Sequence, residues 1–247
     1  MVDGLDHVGT SISALTNEYH TIAHNIANIN TAGYKRKVNM FSRELMNHIG
    51  ENSNNGVELP ASQVKSKAAI DFSQGSLVRT DRPLDLALVG KGFFVVETPE
   101  GPLYTRNGIF HLNAQGQLVN LTGRLVGGVD APITAPPNVS EMSIQISEDG
   151  RVRADGVVLG QLRIVDFGAD EDKLVCVGEN CYAVGPDVQP RAADKAVVRQ
   201  GYQENSNVKV TSELVDLISV SRLYETNMNI LRKRAENSRT ILSVANG

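Results

Sequence analysis

The sequence predicts a mixed α and β fold: long N- and C-terminal helices forming an antiparallel, coiled-coil-like pair, with a mainly antiparallel, all-β domain between them. Three observations carry this expectation. Apolar residues alternate in steps of three and four at both ends of the 247-residue chain, the period of a helix packed along one partner. In the middle the pattern changes to short apolar or β-branched runs punctuated by Gly, Asn, Asp and Pro. Polar or Pro-rich stretches separate the zones. The expected boundaries are an N-terminal helix over 1–33, an extended connector over 34–72 with a polar loop at 47–60, a β-rich domain over 73–200, and a return segment with the C-terminal helix over 201–247.

The first helix carries its seam at Leu5, Val8, Ile12, Leu15, Tyr19, Ile22, Ile26 and Ile29, with polar residues such as Asp6, Asn17, Glu18 and His20 between them. The stripe is narrow, wide enough to dock on another helix and too narrow to be buried all round. It runs into the stretch NIANINTAGYKRK (residues 25–37), a polar, turn-forming joint with three positive charges at its end. The connector that follows is rich in Asn and Gly over 47–60 and reads as a loop or a partner-dependent extension.

The β-rich middle begins with runs at 76–79, 84–89 and 93–96, interrupted by Asp81-Arg82-Pro83 and by Gly90-Lys91-Gly92. Further short strands are expected at 104–106, 110–112, 117–120, 142–147, 151–154, 161–167, 174–177 and 181–184, with turns at Asn107-Gly108, Glu148-Asp149-Gly150 and Gly178. Strands this short and close argue for an all-β architecture. The stretch APITAPPNV (131–139) is Pro-rich and is expected to run extended over the surface of that domain.

The last helix repeats the first one's seam over a longer span, through Leu214, Leu217, Ser221, Tyr224, Met228, Leu231, Ala235, Ser238 and Leu242. Glu213 and Asp216 place negative charge in its first turns, where the helix dipole favours it. At roughly 1.5 Å per residue such a helix is about 50 Å long. Two narrow-striped helices at opposite chain ends invite an antiparallel pairing.

Composition excludes more than it selects. No Trp and 22 Gly in a chain 41% apolar suit thin β-structure and partner-packed helices better than a thick enzyme core. Lys plus Arg number 24 against 28 Asp plus Glu, a net charge of −4, which makes no general case for nucleic acid. The basic run LRKRAENSR (231–239) reads as a solvated or partner-facing helix surface. The start, MVDGLDHVGTS, lacks the basic and apolar regions of a cleavable secretory signal, and no stretch reaches the roughly 20 apolar residues of a membrane span, so direct membrane insertion is not expected.

Catalytic and ligand-binding patterns weigh little. His20 and His24 stand four apart, but no HExxH arrangement surrounds them, and helix-surface histidines are the favoured reading. Gly90-Lys91-Gly92 lacks the spacing and following helix of a phosphate loop and reads as a tight turn. Cys176 and Cys181 flank a hairpin turn and read as an isolated thiol pair in preference to a disulfide. No catalytic residue, metal site or cofactor is implied, and a non-enzymatic protein is expected.

Several motifs, in order, resemble those of the bacterial flagellar axial proteins of the rod and hook-basal-body group. Asn25, Asn28, Thr31, Gly33 and Lys35 fall in the places of the N-terminal signature of that family. SQGSLVRTDRPLDLA (73–87) and VGKGFFVV (89–96), with Gly90 and Gly92, resemble the start of its β-domain. YTRNGIF (104–110), containing Tyr104, Arg106 and Gly108, LNAQGQL (112–118), ENSNV (204–208), containing Ser206, Asn207 and Val208, and RLYE (222–225), containing Arg222 and Glu225, complete the likeness.

The resemblance implies a structural subunit, exported through the flagellar type III apparatus without a cleaved signal and polymerised into the rod that crosses the periplasm. The terminal helices would form the inner tubular layer around the export channel and the β-domain the outer layer. Implied partners are copies of the chain, other rod proteins, hook-side or proximal neighbours and surrounding ring proteins. The joint would cap the inner helix at 28–33, with Lys35, Arg36 and Lys37 opening a segment that reaches neighbouring subunits. Residues 41–46, 168–172 and 185–187 resemble the proximal rod member more than the distal one, whereas 73–82 and 47–60 resemble the distal, which is the alternative. Outside the family, a cell-wall hydrolase would need an acidic pair or nucleophile in a cleft, and an adaptor or adhesin would bind through the β-surface.

Overall fold

The computed structural model describes residues 3–39, 68–137, 139–193 and 195–245. The expected polar loop at 47–60 and the stretch 41–46 lie outside them. The chain divides into two compact units, one of residues 1–27, 37–71 and 208–247, the other of residues 28–36 and 72–207.

In the first unit, helix α1 (Asp3–Ala27) packs against helix α2 (Val210–Ala245). The pair is antiparallel, because Asn25 near the end of α1 donates from Nδ2 to Glu213 Oε2 in the first turn of α2 at 3.1 Å. Ile22 and Val220 are buried, and Ile12, Leu15, Ile26, Leu217, Met228 and Leu231 are partly buried. Strand β1 (Arg36–Asn39) pairs with β2 (Ala68–Asp71), giving part of the expected connector regular structure.

The second unit is built from antiparallel strands: β3 (Leu77–Arg79), β4 (Leu86–Val89), β5 (Phe93–Glu97), β6 (Leu103–Thr105), β7 (Phe110–Leu112), β8 (Leu118–Asn120), β9 (Leu125–Val126), β10 (Ile144–Ile146), β11 (Arg151–Ala154), β12 (Val157–Gln161), β13 (Ile164–Asp166), β14 (Val175–Gly178), β15 (Cys181–Ala183), β16 (Arg191–Ala192), β17 (Val197–Gln200) and β18 (Tyr202–Glu204). The principal sheet runs in the order β14-β15-β6-β5-β9-β8-β7, with β13 alongside β5 and β16 alongside β13. A three-stranded sheet, β10-β11-β12, and two pairs, β17-β4 and β18-β3, complete it.

Strand β5 explains the core. Four of its five residues, Phe93, Phe94, Val95 and Val96, are wholly buried, so the usual in–out alternation of an antiparallel strand is lost because both faces are covered. Phe94 meets Phe110 edge-on at 5.2 Å and 86° within a cluster holding Leu86, Leu88, Ile144 and Val198. Phe93 faces the other way, edge-on to Phe72, Phe167 and Tyr182. Such T-shaped contacts align the positive ring edge with the negative ring face.

Two expectations about the middle are corrected. The Pro-rich stretch is not only a surface strap: Ile133 and Ala135 are buried, held by Leu118 N–H donating to Ile133 O and Ala135 N–H to Gly116 O. The prolines set the extended backbone, and the apolar residues between them enter the core. The return after residue 200 is also partly strand, since β18 pairs with β3 as Tyr202 opposite Arg79, Gln203 opposite Val78 and Glu204 opposite Leu77. Both cysteines are free thiols. Cys176 lies opposite Tyr182 and Gly178 opposite Cys181, a bulge that keeps the two cysteines out of register.

Candidate functional site

The joint at 28–36 is built by local turns. Thr31 N–H donates to Asn28 O at 3.1 Å and Thr31 Oγ1 to Asn28 Oδ1 at 3.2 Å, and Tyr34 N–H closes the next turn on Thr31 O at 3.2 Å. Gly33 then takes φ +67°, a left-handed conformation that glycine adopts without penalty. Its N–H donates to Glu204 O at 2.7 Å. A Cβ at that position would sit 2.4 Å from Asn107 N. Gly33→Ala therefore combines backbone strain with a clash against main chain that cannot step aside. A loss of roughly 2–4 kcal/mol from the β-rich unit is expected, read as a lower urea midpoint; an unchanged midpoint would refute the close approach.

The joint ends in buried charge. Lys35 Nζ lies 2.6 Å from Glu204 Oε1, and both side chains have no exposure. The same ammonium donates to Ser73 O at 2.7 Å, and Glu204 Oε1 also accepts from Gly75 N–H at 2.9 Å. Arg106, 2% exposed, brings Nη1 to 3.6 Å from Glu204 Oε2. Its Nη2 donates to Gly90 O at 2.8 Å, and its guanidinium lies 5.2 Å from the centre of the Phe93 ring. Burial holds the Arg106 guanidinium below its ordinary pKa, with Glu204 opposing that shift. Lys35 itself does not reach outward, and the segment expected to begin with it runs on into residues 40–67, outside those described. Its charge points inward because Glu204 and a main-chain carbonyl there replace its hydration.

Other motif residues are packed or hydrogen-bonded within the same unit. Asn207 Oδ1 accepts from Arg36 N–H at 2.7 Å while its Nδ2 donates to Ser73 O and Oγ at 3.1 and 3.0 Å. Gly108 is required by contact, since a Cβ there would stand 1.8 Å from Leu86 O. Gly90 and Gly92 take φ +92° and +146°, and Gly92 fits between Ala193, Ile164 and Ala196. Tyr104 is buried edge-on to Phe167 at 4.8 Å, and burial raises its hydroxyl pKa. Ser206 is buried as well.

In the helical unit, Val208 is buried just before α2 begins. Asn25 there works as a double clasp. Its Nδ2 donates to Lys37 O at 2.8 Å as well as to Glu213, and its Oδ1 accepts from Lys37 N–H at 2.9 Å. Asn25 is 1% exposed and Glu213 is wholly buried. Within the single chain the face of α2 turned inward thus runs through Glu213, Leu217 and Val220, while Leu214 and Tyr224 remain 45% and 39% exposed. Tyr19 on α1 is likewise exposed, as are Arg222 and Glu225 on α2. Ile29 is partly buried, and the side chains of Leu5, Val8 and Leu242 lie outside the described residues.

Sequence reasoning missed both buried charge sets, although the resemblance had already marked Lys35, Arg106 and Glu204 singly. Three basic residues in a row read as surface, and nothing local pairs residue 35 with residue 204. Among the described residues, no group of three or more His, Cys, Asp or Glu side chains could hold a metal ion. A cleft of about 570 Å³ is walled by Val129, Gln161, Arg163, Pro190 and Arg191, with Asp149 as the single carboxylate among its described lining residues. It offers neither an acid pair nor a nucleophile beside a base. No helix among the described residues is long and apolar enough to cross a membrane.

An antiparallel pair of terminal helices, a β-rich middle and a buried polar joint are the marks of a structural protein, with chemistry devoted to holding segments in place. Residues 9–35 match the family described as "Flagella basal body rod protein", residues 87–154 the "Flagellar hook protein FlgE/F/G D1 domain", and residues 199–244 the "Flagellar basal body rod FlgEFG protein C-terminal". The chain is 33% identical to the flagellar basal-body rod protein FlgG of Buchnera aphidicola subsp. Schizaphis graminum, over 88% of this chain and 90% of the relative. It is 32% identical to FlgG of Agrobacterium fabrum, over 90% and 91%, and 30% identical to the basal-body rod protein FlgF of Mesorhizobium japonicum, over 96% and 95%. This chain belongs to the flagellar basal-body rod protein family, the FlgE/F/G group. Membership makes it a structural protein and not an enzyme. Among relatives of this group identity reaches 34% for FlgG and 31% for FlgF, which favours FlgG over the FlgF-like member the sequence motifs suggest.

Proposed function

We propose that this chain polymerises through its terminal helices into the hollow rod of the flagellar basal body, packing against copies of itself and other rod proteins around the export channel. The observation that carries this reading is the apolar surface α2 keeps after pairing with α1: Leu214, Val215, Ile218, Leu223 and Ile230 are 39–61% exposed. Isolated helices with little burial are marginal in water, and burial of such side chains between subunits returns roughly 25 cal/mol per Å² of apolar area. In a repeating assembly every copy gains that contact.

Within the rod we take the distal position, supported by FlgG relatives at up to 34% identity against up to 31% for FlgF relatives. The chain would reach the rod through the flagellar type III apparatus, spanning the periplasm once assembled. Leu217→Asp and Ile22→Asp each place a charge in the helix seam and are expected to abolish incorporation into basal bodies while the β-rich unit stays folded. Rods of normal composition from both variants would defeat the reading. A tag on the β-rich unit, located in maps of isolated basal bodies, separates the positions: label near the hook supports the distal one and label near the membrane refutes it.

A further inference from the structure

Three stretches far apart in sequence meet on one carboxylate. Lys35 and Gly75 both reach Glu204 Oε1, and Arg106 faces Glu204 Oε2. Strand β18 delivers that carboxylate by pairing with β3, and Asn205 N–H donates to Ser76 O at 2.9 Å to hold the next residue in place. The side chains of Lys35, Arg106 and Glu204 are all at least nine-tenths buried. Arg106 Nη1 and Glu204 Oε2 take no hydrogen-bond partner among the described residues, so charge, rather than a directed hydrogen bond, holds this half of the cluster together.

We propose that Glu204 is an electrostatic keystone: closure of the β-rich unit is conditional on it, because without its charge Lys35 and Arg106 meet as like charges in a dry site and hold residues 28–36 away from the sheet. The physical ground is the asymmetry of buried ions. A shared counter-ion makes the site tolerable, whereas removing one partner leaves the remaining charge desolvated and uncompensated. Chain order gives the device a direction. Both cations precede Glu204, so in any N-to-C emergence of the chain they are present first and the closing charge arrives late. Until residue 204 is in place, the N-terminal joint cannot lock onto the sheet, and the β-rich unit stays open. This step concerns folding and holds whether or not the rod reading does.

The test uses the full chain and amide hydrogen exchange resolved by peptide. Glu204→Gln keeps the shape and removes the charge. It is expected to speed exchange roughly 100-fold or more, the effect of a lost buried counter-ion, across β3, β4, β5, β17 and β18, well beyond the cluster. The same substitution combined with Lys35→Met and Arg106→Met removes the repulsion while filling similar volume, and is expected to return exchange to within about tenfold of the parent chain, since apolar replacement of a buried ion set is often neutral. If Glu204→Gln loosens only residues 28–36 and 72–76, or if the triple variant exchanges as fast as the single one, the keystone is refuted and Glu204 is one packing contact among many.

Discussion

Phe94→Ala is expected to cost the β-rich unit about 3–5 kcal/mol, the range for truncating a buried aromatic ring. The ring is fully buried in β5, meets Phe110 edge-on at 5.2 Å, and lies over the Cα of Gly108, where an added Cβ would stand 3.0 Å from Phe94 Cε2. Truncation removes the transfer free energy and leaves a cavity. The strands around that cavity close poorly, because β5 is hydrogen-bonded to β6, β9 and β13. With a urea dependence of about 2 kcal/mol per M for a unit of this size, the midpoint should fall by roughly 2 M. A shift under about 0.5 M would mean that the two-sided core around β5 is described wrongly.

Asn25→Asp should act on the helical unit with similar force and a distinctive pH dependence. The two side chains have the same shape, but Asp loses both donated hydrogen bonds, to Lys37 O and to Glu213, and places a second carboxylate against the first. Two buried carboxylates at hydrogen-bond distance cannot both be charged without large cost, so about 3–5 kcal/mol is expected at neutral pH. The sign follows from the proton. The folded variant takes up a proton at this site that the unfolded chain releases near the ordinary carboxylate range, so stability relative to the parent improves as pH falls and worsens as pH rises. Thermal melts followed by helix ellipticity at pH 5 and pH 8 should show the larger deficit at pH 8. Equal deficits at both would show that Asn25 and Glu213 do not share a site.

Legibility differed by kind of feature. Strands β5, β7 and β11 were readable nearly to the residue, because each is an apolar or alternating run closed by Gly, Asn or Pro. Strands β17 and β18 were hidden. They are short and carry Arg199, Gln200, Tyr202 and Gln203, and their partners β4 and β3 lie more than a hundred residues upstream. The helix seam was visible as a period, and so was its antiparallel sense. Which residue of α2 faces inward at its start was decided by the Asn25 amide, which draws Glu213 into the position that apolarity alone would assign to Leu214. The Pro-rich stretch reads as superficial because its prolines mark extended loops, whereas Ile133 between them sits in the core.

The amino-acid sequence by itself determined the two periodic helices, the short-stranded middle and the family, since periodicity, turn residues and motif order are properties of neighbouring residues. Only the tertiary structure decided which charges go inside. Burying Lys35, Arg106, Glu204 or Glu213 is unfavourable for each one taken alone and becomes tolerable only beside its particular partners. Those partners are supplied by segments far away along the chain, which only the folded arrangement brings together.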